Sequence, residues 1–437
     1  MLSDLNLGVL FFLQLAIILL ACRVVGYIGK FFGQTQVVCE MVAGVLLGPS
    51  LFGLLAPDLQ QSLFPKMYAL NVDSGTHMIK HPSMQILYVA AQLGLVLYMF
   101  LIGLEFDVNL IKKKAGTAIL VSGAGVLTPF ILGFAFAQIL FKEGGFFGPT
   151  VAQNIGALYM GAAMCITAFP MLARIIYENG LSKTSMGTLA LGAGATDDAI
   201  AWSILAVVLA VNSGSMQIAY MAIGGGILFG ILMMTVGKKL LSRLGDDSEK
   251  TGTVSNLQFG IMATCLMIGA WFTDAIGIYA VFGAFIVGAA MPRGKFNELV
   301  QEKSTLLVTT TLLPMFFVYS GLNTKIGLLN TPALWGTTAI ICVLAIVGKG
   351  VACALAARAG GESWRASWAI GTLMNSRGLM ELIILNIGLQ NKVITETLFT
   401  MMVIMAVVTT LMASPIYRWI YGREIEKVRA SNAAVAA

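Results

Sequence analysis

Charged residues are scarce in this chain of 437 residues. Asp, Glu, Lys and Arg together make up 11% of the sequence, 58% of it is hydrophobic, and the mean hydropathy is +0.86. A soluble globular domain carries roughly 25% charged residues, so the composition excludes an ordinary soluble protein. The apolar segments follow one another so closely that no soluble domain is predicted between them.

Residues that bind metals or form disulfides are also few. The six cysteines fall inside apolar segments without metal-ligand spacing, which argues against zinc sites and disulfide frameworks. The two histidines, His77 and His81, share one polar loop, so a histidine relay inside a membrane is excluded. We predict no cofactor. The net charge of +6 does not indicate a nucleic-acid partner, because basic loops orient membrane proteins.

Long apolar runs are abundant. A hydrocarbon core of about 30 Å needs about 20 apolar residues to cross it, and such runs recur along the whole chain. The N-terminal run continues past Leu20 without an obvious cleavage site, so we expect a membrane span and not a removable signal. We number the predicted spans 1 to 13; they cover residues 7–29, 35–55, 84–104, 116–141, 150–178, 186–212, 217–241, 255–273, 277–291, 304–322, 334–358, 366–389 and 395–420.

Positive charge alternates between the loops that join these spans. Loops after odd-numbered spans contain 18 Lys and Arg residues, whereas loops after even-numbered spans contain five, namely Lys66, Lys80, Lys142, Lys325 and Lys392. Basic loops face the cytoplasm, and a single miscounted span would mix the two groups. The sequence therefore predicts an all-α polytopic protein of about 13 transmembrane helices in the inner (plasma) membrane. Its N-terminus is expected outside and its C-terminus in the cytoplasm.

Two pairs of similar motifs lie seven spans apart. The end of span 3, Met99 to Asp107, and the end of span 10, Phe316 to Lys325, are aromatic-apolar runs closed by Gly-Leu and polar residues. The Gly-rich part of span 2 has a partner between Gly283 and Pro292 in span 9. An odd offset inverts the second copy, as in many secondary transporters. We predict inverted repeats over about 7–212 and 255–420, joined by 217–241, within one membrane unit, 1–437.

Transporters of this kind bind their substrate near the bilayer midplane, on interrupted helices in corresponding positions of the two repeats. Span 5 contains Pro170, which removes a backbone donor and leaves carbonyls free. Seven spans later, span 12 contains the polar sequence Asn375-Ser376-Arg377-Gly378. A kink packed against protein would explain either break alone, but their matched placement favours a binding site.

Ionisable residues at the bilayer centre cost roughly 2.5 to 3.5 kcal/mol or more each and are usually functional. Span 6 places Thr196-Asp197-Asp198 near its middle, and span 11 places Lys349 near its middle. Adjacent positions on a helix point about 100° apart, so the two acids can serve different partners. The alternative for the acids is a buried ion-pair scaffold, and for Lys349 a structural salt bridge.

For the remaining charges inside spans, a structural role is the preferred interpretation. Glu40 lies early in span 2 and Arg174 near the cytoplasmic end of span 5. Arg377 and Glu381 are four residues apart, so they can pair on one helix face. We expect this pair to support the broken helix of span 12, together with Asn375 and Ser376.

Six motifs occur in order along the chain. They are Gly48-Pro49-Ser50-Leu51-Phe52-Gly53, Gly103-Leu104-Glu105-Phe106-Asp107, Ile166 to Arg174, Gly194 to Trp202, Gly348-Lys349 and Asn375 to Leu382. In these motifs the chain resembles the monovalent cation/proton antiporter family, in the branch with bacterial Kef-type and plant CHX-type exchangers. The resemblance covers essentially all spans and implies a sodium/proton antiporter-like fold with crossed broken helices.

The resemblance also implies roles for single residues. Asp198 matches the acid that binds a monovalent cation and a proton alternately, and Asp197 matches a position that holds Asp, Asn or Gln in different branches. Lys349 matches a lysine able to pair with Asp197, and Thr167 lies in the crossover beside the site. Thr196 completes the predicted ligands. Relatives are usually homodimers with a scaffold and a moving core; because the chain ends about 17 residues after span 13, no regulatory domain is expected.

The predicted function is secondary active transport, the exchange of Na⁺ or K⁺ for protons by alternating access. A cation channel is the alternative, because polar breaks also line pores, but the sequence has no repeated filter motif or ring of charges. No enzymatic activity is predicted: a membrane aspartyl protease needs two acids on separate helices, whereas Asp197 and Asp198 are neighbours on one helix.

Overall fold

A computed structural model describes residues 4–72, 75–106, 114–181, 184–213, 216–322 and 326–436, and this part of the chain is almost entirely helical. Several residues of the predicted loops lie outside the described residues, namely Asp107, Lys112, Lys113, Lys183, Asn323, Thr324 and Lys325.

Most predicted spans form helices. Spans 1, 3, 4, 6, 8, 9 and 13 are the helices Asp4–Phe31, Pro82–Glu105, Ala115–Glu143, Ser185–Ser213, Asn256–Ala275, Ala280–Ala290 and Glu396–Ala436. Span 2 is Gln36–Leu47, followed by the short helices Phe52–Leu55 and Pro57–Leu63. Spans 5 and 12 are each divided into two half-helices.

Three spans contain one π-helical turn between α-helical parts. Span 7 consists of Gln217–Leu232, Met233–Gly237 and Lys238–Thr251; span 10 of Lys295–Leu307, Val308–Leu312 and Leu313–Gly321; and span 11 of Pro332–Ala345, Ile346–Val351 and Ala352–Ala359. A short 3₁₀ turn, Ile326–Leu328, precedes span 11. Lys349 lies in the π-helical turn of span 11, and such turns are frequent at functional sites.

Within the described ranges, nine helices are long and apolar enough to cross a membrane, and they correspond to spans 1 to 4, 7, 8, 10, 11 and 13. The other four predicted spans are helical as well. Span 6 is one long helix, span 9 is a helix of 11 residues, and spans 5 and 12 are pairs of half-helices. The predicted fold class is therefore confirmed.

The structure differs from the sequence-based limits in two respects. The helices of spans 7, 10 and 13 continue well beyond their apolar parts, because hydropathy detects only the portion suited to the hydrocarbon core. The polar loop before span 3 contains an antiparallel hairpin of β1 (Met67–Val72) and β2 (Gly75–Lys80), in which Met67 pairs with Lys80. No alternating pattern in the sequence predicted these strands.

The chain divides into two compact units. Unit 1 comprises Met1–Tyr98 and Ser304–Gly327, and unit 2 comprises Met99–Lys303 and Leu328–Ala437. Each unit contains segments of both predicted repeats. Compact units and symmetric repeats need not have the same limits along the chain. The limits of the repeats stay a prediction.

Close glycine contacts occur at the motifs that match between the repeats. In unit 1, span 2 packs against span 10 at Gly44 and Gly321, and a Cβ atom at Gly44 would come within 2.8 Å of the span 10 backbone. In unit 2, span 3 packs against span 9 at Gly103 and Gly288, and a Cβ atom at Gly103 would lie 2.9 Å from the Ala289 nitrogen. If span 2 corresponds to span 9 and span 3 to span 10, as predicted, the two contacts are equivalent positions of the two repeats.

Candidate functional site

Spans 5 and 12 both lose their helical structure in the middle. Span 5 divides into Gln153–Cys165 and Phe169–Glu178, and span 12 into Trp364–Met374 and Leu379–Gln390. Pro170 lies in the first turn of the second half-helix of span 5, where the missing amide hydrogen is tolerated. All four half-helices belong to unit 2.

The two breaks contact each other. The amide of Ala168 donates a hydrogen bond to the carbonyl of Ser376 at 3.4 Å. Gly378 allows this approach, because a Cβ atom there would lie 2.9 Å from the Cβ atom of Ala168. The crossing of the broken helices therefore brings backbone from spans 5 and 12 to one place.

Two buried cations stabilise the end of the first half-helix of span 5. The last carbonyls of a helix have no intrahelical donor, and this end carries a partial negative charge. The guanidinium group of Arg377 donates to the carbonyl of Met164 at 2.5 Å, and the ammonium group of Lys349 donates to the carbonyl of Cys165. The break in span 5 is thus held by side chains from spans 11 and 12.

Lys349 also binds the Asp197 carboxylate. Its Nζ atom lies 3.0 Å from Oδ2 of Asp197 and 3.0 Å from the carbonyl of Gly125 in span 4. The Thr167 hydroxyl donates to the same Oδ2 atom at 2.8 Å. Both members of the ion pair are fully buried. With the carbonyl of Cys165, all three donors of the ammonium group have acceptors.

Asp198 has a different environment from that of its neighbour. It is 4% exposed, and its carboxylate faces the backbone amide of Phe169, at the positive end of the second half-helix of span 5. Among the described residues, its Oδ1 atom has no hydrogen-bond partner, and no ion pair between them includes it. The helix end favours a negative charge at Asp198, yet no described cation forms an ion pair with it.

Arg377 and Glu381 form a second buried pair, with 3.5 Å between Nη1 and Oε1. Neither carboxylate oxygen of Glu381 accepts a hydrogen bond from a described residue. Asn375 and Ser376 complete the break: Ser376 donates to the carbonyl of Leu373 at 2.6 Å, while the buried Oδ1 atom of Asn375 has no donor among the described residues.

The structure brings together most of the predicted site residues, but not Thr196. The Thr196 hydroxyl donates to the carbonyl of Gly192 in its own helix at 2.9 Å, and the side chain is exposed. No described contact joins it to either carboxylate. Its position follows from the helix, because Thr196 points about 100° away from Asp197.

The charges that were given structural roles have local partners. Arg174 pairs with Glu178 at 2.7 Å, one helical turn later in span 5. Glu40, in unit 1, accepts a hydrogen bond from Gln36 at 3.2 Å.

The contribution of span 4 was not predicted. Its Gly125 carbonyl binds Lys349, and a Cβ atom at this glycine would lie 3.0 Å from Oδ2 of Asp197. The Ser122 hydroxyl, one turn earlier, lies beside the Asp197 carboxylate without the geometry of a hydrogen bond. The proline four residues after Gly125 was a signal in the sequence, because it removes the usual donor to that carbonyl.

Comparisons with known proteins give the family. The pattern of the family described as "Sodium/hydrogen exchanger, transmembrane" matches residues 5–421. The Na(+)/H(+) antiporter NhaS4 of Synechocystis sp. is 38% identical over 421 residues, which cover 96% of this chain and 98% of that protein. Cation/H(+) antiporter 17 of Arabidopsis thaliana is 33% identical over 434 residues, covering 98% of this chain but 50% of the plant protein.

A solved structure shares the fold. The sodium proton antiporter MjNhaP1 of Methanocaldococcus jannaschii superimposes with a TM-score of 0.61 at 15% identity, covering 96% of this chain and 98% of that chain. On the family match and the identity to NhaS4, this chain belongs to the sodium/hydrogen exchanger family.

Proposed function

We propose that the chain exchanges a monovalent cation, Na⁺ or K⁺, for protons across a membrane by alternating access, with Asp198 binding the two ions in turn. The family supports exchange. NhaS4, which this chain matches over nearly its whole length, is named as a sodium/proton antiporter. The plant relative is named for cations in general, so we include potassium.

The charge balance around the crossed breaks is the observation that carries the proposal. Among the described residues beside the breaks, the buried carboxylates are those of Asp197, Asp198 and Glu381, and the buried cations are Lys349 and Arg377. Two carboxylates are paired with the two cations, which leaves one negative charge unbalanced, that of Asp198. A buried charge without a partner is costly, so Asp198 requires a proton or a metal cation.

Competition for this single carboxylate couples the two ions. A proton and a partly dehydrated cation cannot both neutralise Asp198. Either one lowers the cost of moving the site across the low-dielectric interior, whereas the bare carboxylate makes an empty return costly. Because the site moves easily only with one of the two ions bound, the expected result is exchange and not net transport of one ion.

Oxygen atoms near the breaks supply further ligands for a cation. Oδ1 of Asp197, Oδ1 of Asp198 and Oδ1 of Asn375 are buried and accept no hydrogen bond from the described residues. Hard cations such as Na⁺ and K⁺ prefer oxygen ligands, as Ca²⁺ and Mg²⁺ do. We assign the monovalent cation to Asp198, with Asp197 and Asn375 as its neighbours, and Thr167 to positioning Asp197.

Orientation and assembly belong to the same proposal. The asymmetry of basic loops supports a cytoplasmic C-terminus in the plasma membrane, and the resemblance to the antiporter family supports a homodimer. Protease accessibility of a C-terminal tag in inside-out vesicles tests the cytoplasmic C-terminus. Chemical cross-linking in native membranes tests the homodimer. A tag protected in inside-out vesicles would reverse the topology, and exclusively monomeric protein would exclude the dimer.

The central experiment measures proton movement in proteoliposomes under sodium, potassium and lithium gradients, with a pH-sensitive dye. Asp198→Asn should abolish cation-driven proton movement, because Asn cannot bind a proton or balance a cation's charge. Asp274→Asn, at an exposed position at the end of span 8, is the matched control and should retain exchange.

Two outcomes would contradict the proposal. Full cation-driven proton movement by a folded Asp198→Asn protein would exclude this carboxylate as the exchange site. Cation current in the wild-type protein without coupled proton movement would indicate the channel alternative.

A further inference from the structure

Gly125 and Pro129 lie four residues apart in span 4, inside the helix Ala115–Glu143. In an α-helix, a carbonyl accepts a hydrogen bond from the amide four residues later. Proline has no amide hydrogen, and its ring crowds the same carbonyl. The Gly125 carbonyl therefore lacks its usual donor in span 4.

This carbonyl accepts a hydrogen bond from another helix. The ammonium group of Lys349 donates to it at 3.0 Å and uses its other two donors for the Cys165 carbonyl and the Asp197 carboxylate. Lys349 is fully buried. Without the Gly125 carbonyl, one N–H of a buried ammonium would have no acceptor, which is the costly case for a buried polar group.

The packing around Pro129 holds the two helices at the distance that this hydrogen bond needs. A Cβ atom at Gly348, the residue before Lys349, would lie 3.1 Å from the Cα atom of Pro129. A Cβ atom at Gly125 would lie 3.0 Å from Oδ2 of Asp197 and 2.8 Å from Sγ of Cys353. At Gly125, span 4 thus meets the ion pair with its backbone.

We propose that Pro129 is a positioning residue for the pair of Lys349 and Asp197: by lacking an amide hydrogen, it leaves the Gly125 carbonyl free for the Lys349 ammonium. Proline inside a helix is a common cause of a kink. Here the carbonyl it releases is one of the three acceptors that hold the buried Lys349 ammonium. The role of Pro129 in ion exchange rests on the proposed function, whereas its effect on the ion pair does not.

A thermal-stability cycle separates this role from a kink. Pro129→Ala restores an amide that competes with Lys349 for the Gly125 carbonyl, so it should lower the midpoint of thermal denaturation by about 2 °C. In the background Asp197→Ala/Lys349→Met no ammonium is present at position 349. The Gly125 carbonyl then lacks a donor, and the amide introduced by Pro129→Ala supplies one. There the same substitution should raise the midpoint.

The purified full-length protein in detergent is suitable for this cycle. Pro415→Ala, inside the helix of span 13, is the control and should have the same effect in both backgrounds. If Pro129→Ala lowers the midpoint equally in both backgrounds, Pro129 acts only on the shape of span 4 and the proposal is overturned.

A second variant isolates the amide hydrogen from the proline ring. Replacement of Pro129 by lactic acid through nonsense suppression gives an ester, which has the side chain of alanine but no N–H. The ester should restore the wild-type midpoint and the pH profile of proton movement, while Pro129→Ala should shift both. An ester variant as impaired as Pro129→Ala would overturn the proposal, and loss of cation-driven proton movement by the wild-type protein would bear only on the proposed function.

Discussion

Lys349 and Asp197 are each other's charge partner in a site without exposed surface. Lys349→Ala would leave the carboxylate buried and unpaired, which typically costs about 3 to 5 kcal/mol of unfolding free energy. Adding Asp197→Asn removes that charge. We therefore expect thermal stability to fall more for Lys349→Ala than for the double variant, as measured by thermal denaturation in detergent.

The single variant Asp197→Asn completes this cycle. It leaves the Lys349 ammonium with two carbonyl acceptors, those of Gly125 and Cys165, so it should cost less than Lys349→Ala. Strictly additive losses would show that the two residues do not interact.

At the scale of the element, the half-helices of spans 5 and 12 stabilise each other through Arg377. Its guanidinium group caps the Met164 carbonyl and pairs with Glu381. Arg377→Gln should lower the unfolding free energy by about 3 to 5 kcal/mol, because Glu381 would be left buried without a cation. Glu381→Gln in addition should recover only part of the loss, since the carbonyl cap remains absent.

The pair of Arg174 and Glu178 provides the matched control, since it has the same spacing in span 5 but is partly exposed. Partly exposed pairs contribute less than buried ones, so Arg174→Gln should cost less than Arg377→Gln. Equal losses in thermal denaturation would show that Arg377 has no special role at the break.

At the scale of the whole molecule, we predict that the two adjacent acids affect the charge moved in each cycle. If a bound cation draws Asp197 away from Lys349, the lysine can release a proton in addition to the one from Asp198. Each cycle would then move more protons than cations. We expect electrogenic exchange, because the ion pair of Asp197 and the buried Lys349 would then supply a second proton to each cycle.

Solid-supported membrane electrophysiology tests this stoichiometry. Addition of cation should produce a transient current in the wild-type protein and none in Asp198→Asn. Exchange rates that do not respond to membrane potential, with no transient current, would instead show that the pair stays locked and that one proton moves per cation.

The sequence by itself determined the family and the fold class, which the family match and the solved structure that shares the fold confirm. It also predicted the exchange of a cation for protons, which relatives named as cation/proton antiporters support. These properties have signals that are local along the chain. A span is about 20 apolar residues in succession, and a break is a proline or a polar run inside it. A buried acid is recognisable in the sequence because an ionisable residue inside a span is energetically costly and therefore rare. The roles of Asp198, Asp197 and Lys349 remain predictions.

Only the tertiary structure decided which groups complete the site. The Gly125 and Cys165 carbonyls accept hydrogen bonds from Lys349. Since every residue has a backbone carbonyl, the residue types do not show which carbonyls will bind the lysine. The rotation of one helix turns the Thr196 hydroxyl to its own backbone, and the crossing of two breaks brings the Thr167 hydroxyl to Asp197. Such contacts depend on the packing of helices distant in sequence, because the residue types along any single span do not specify which neighbour faces them.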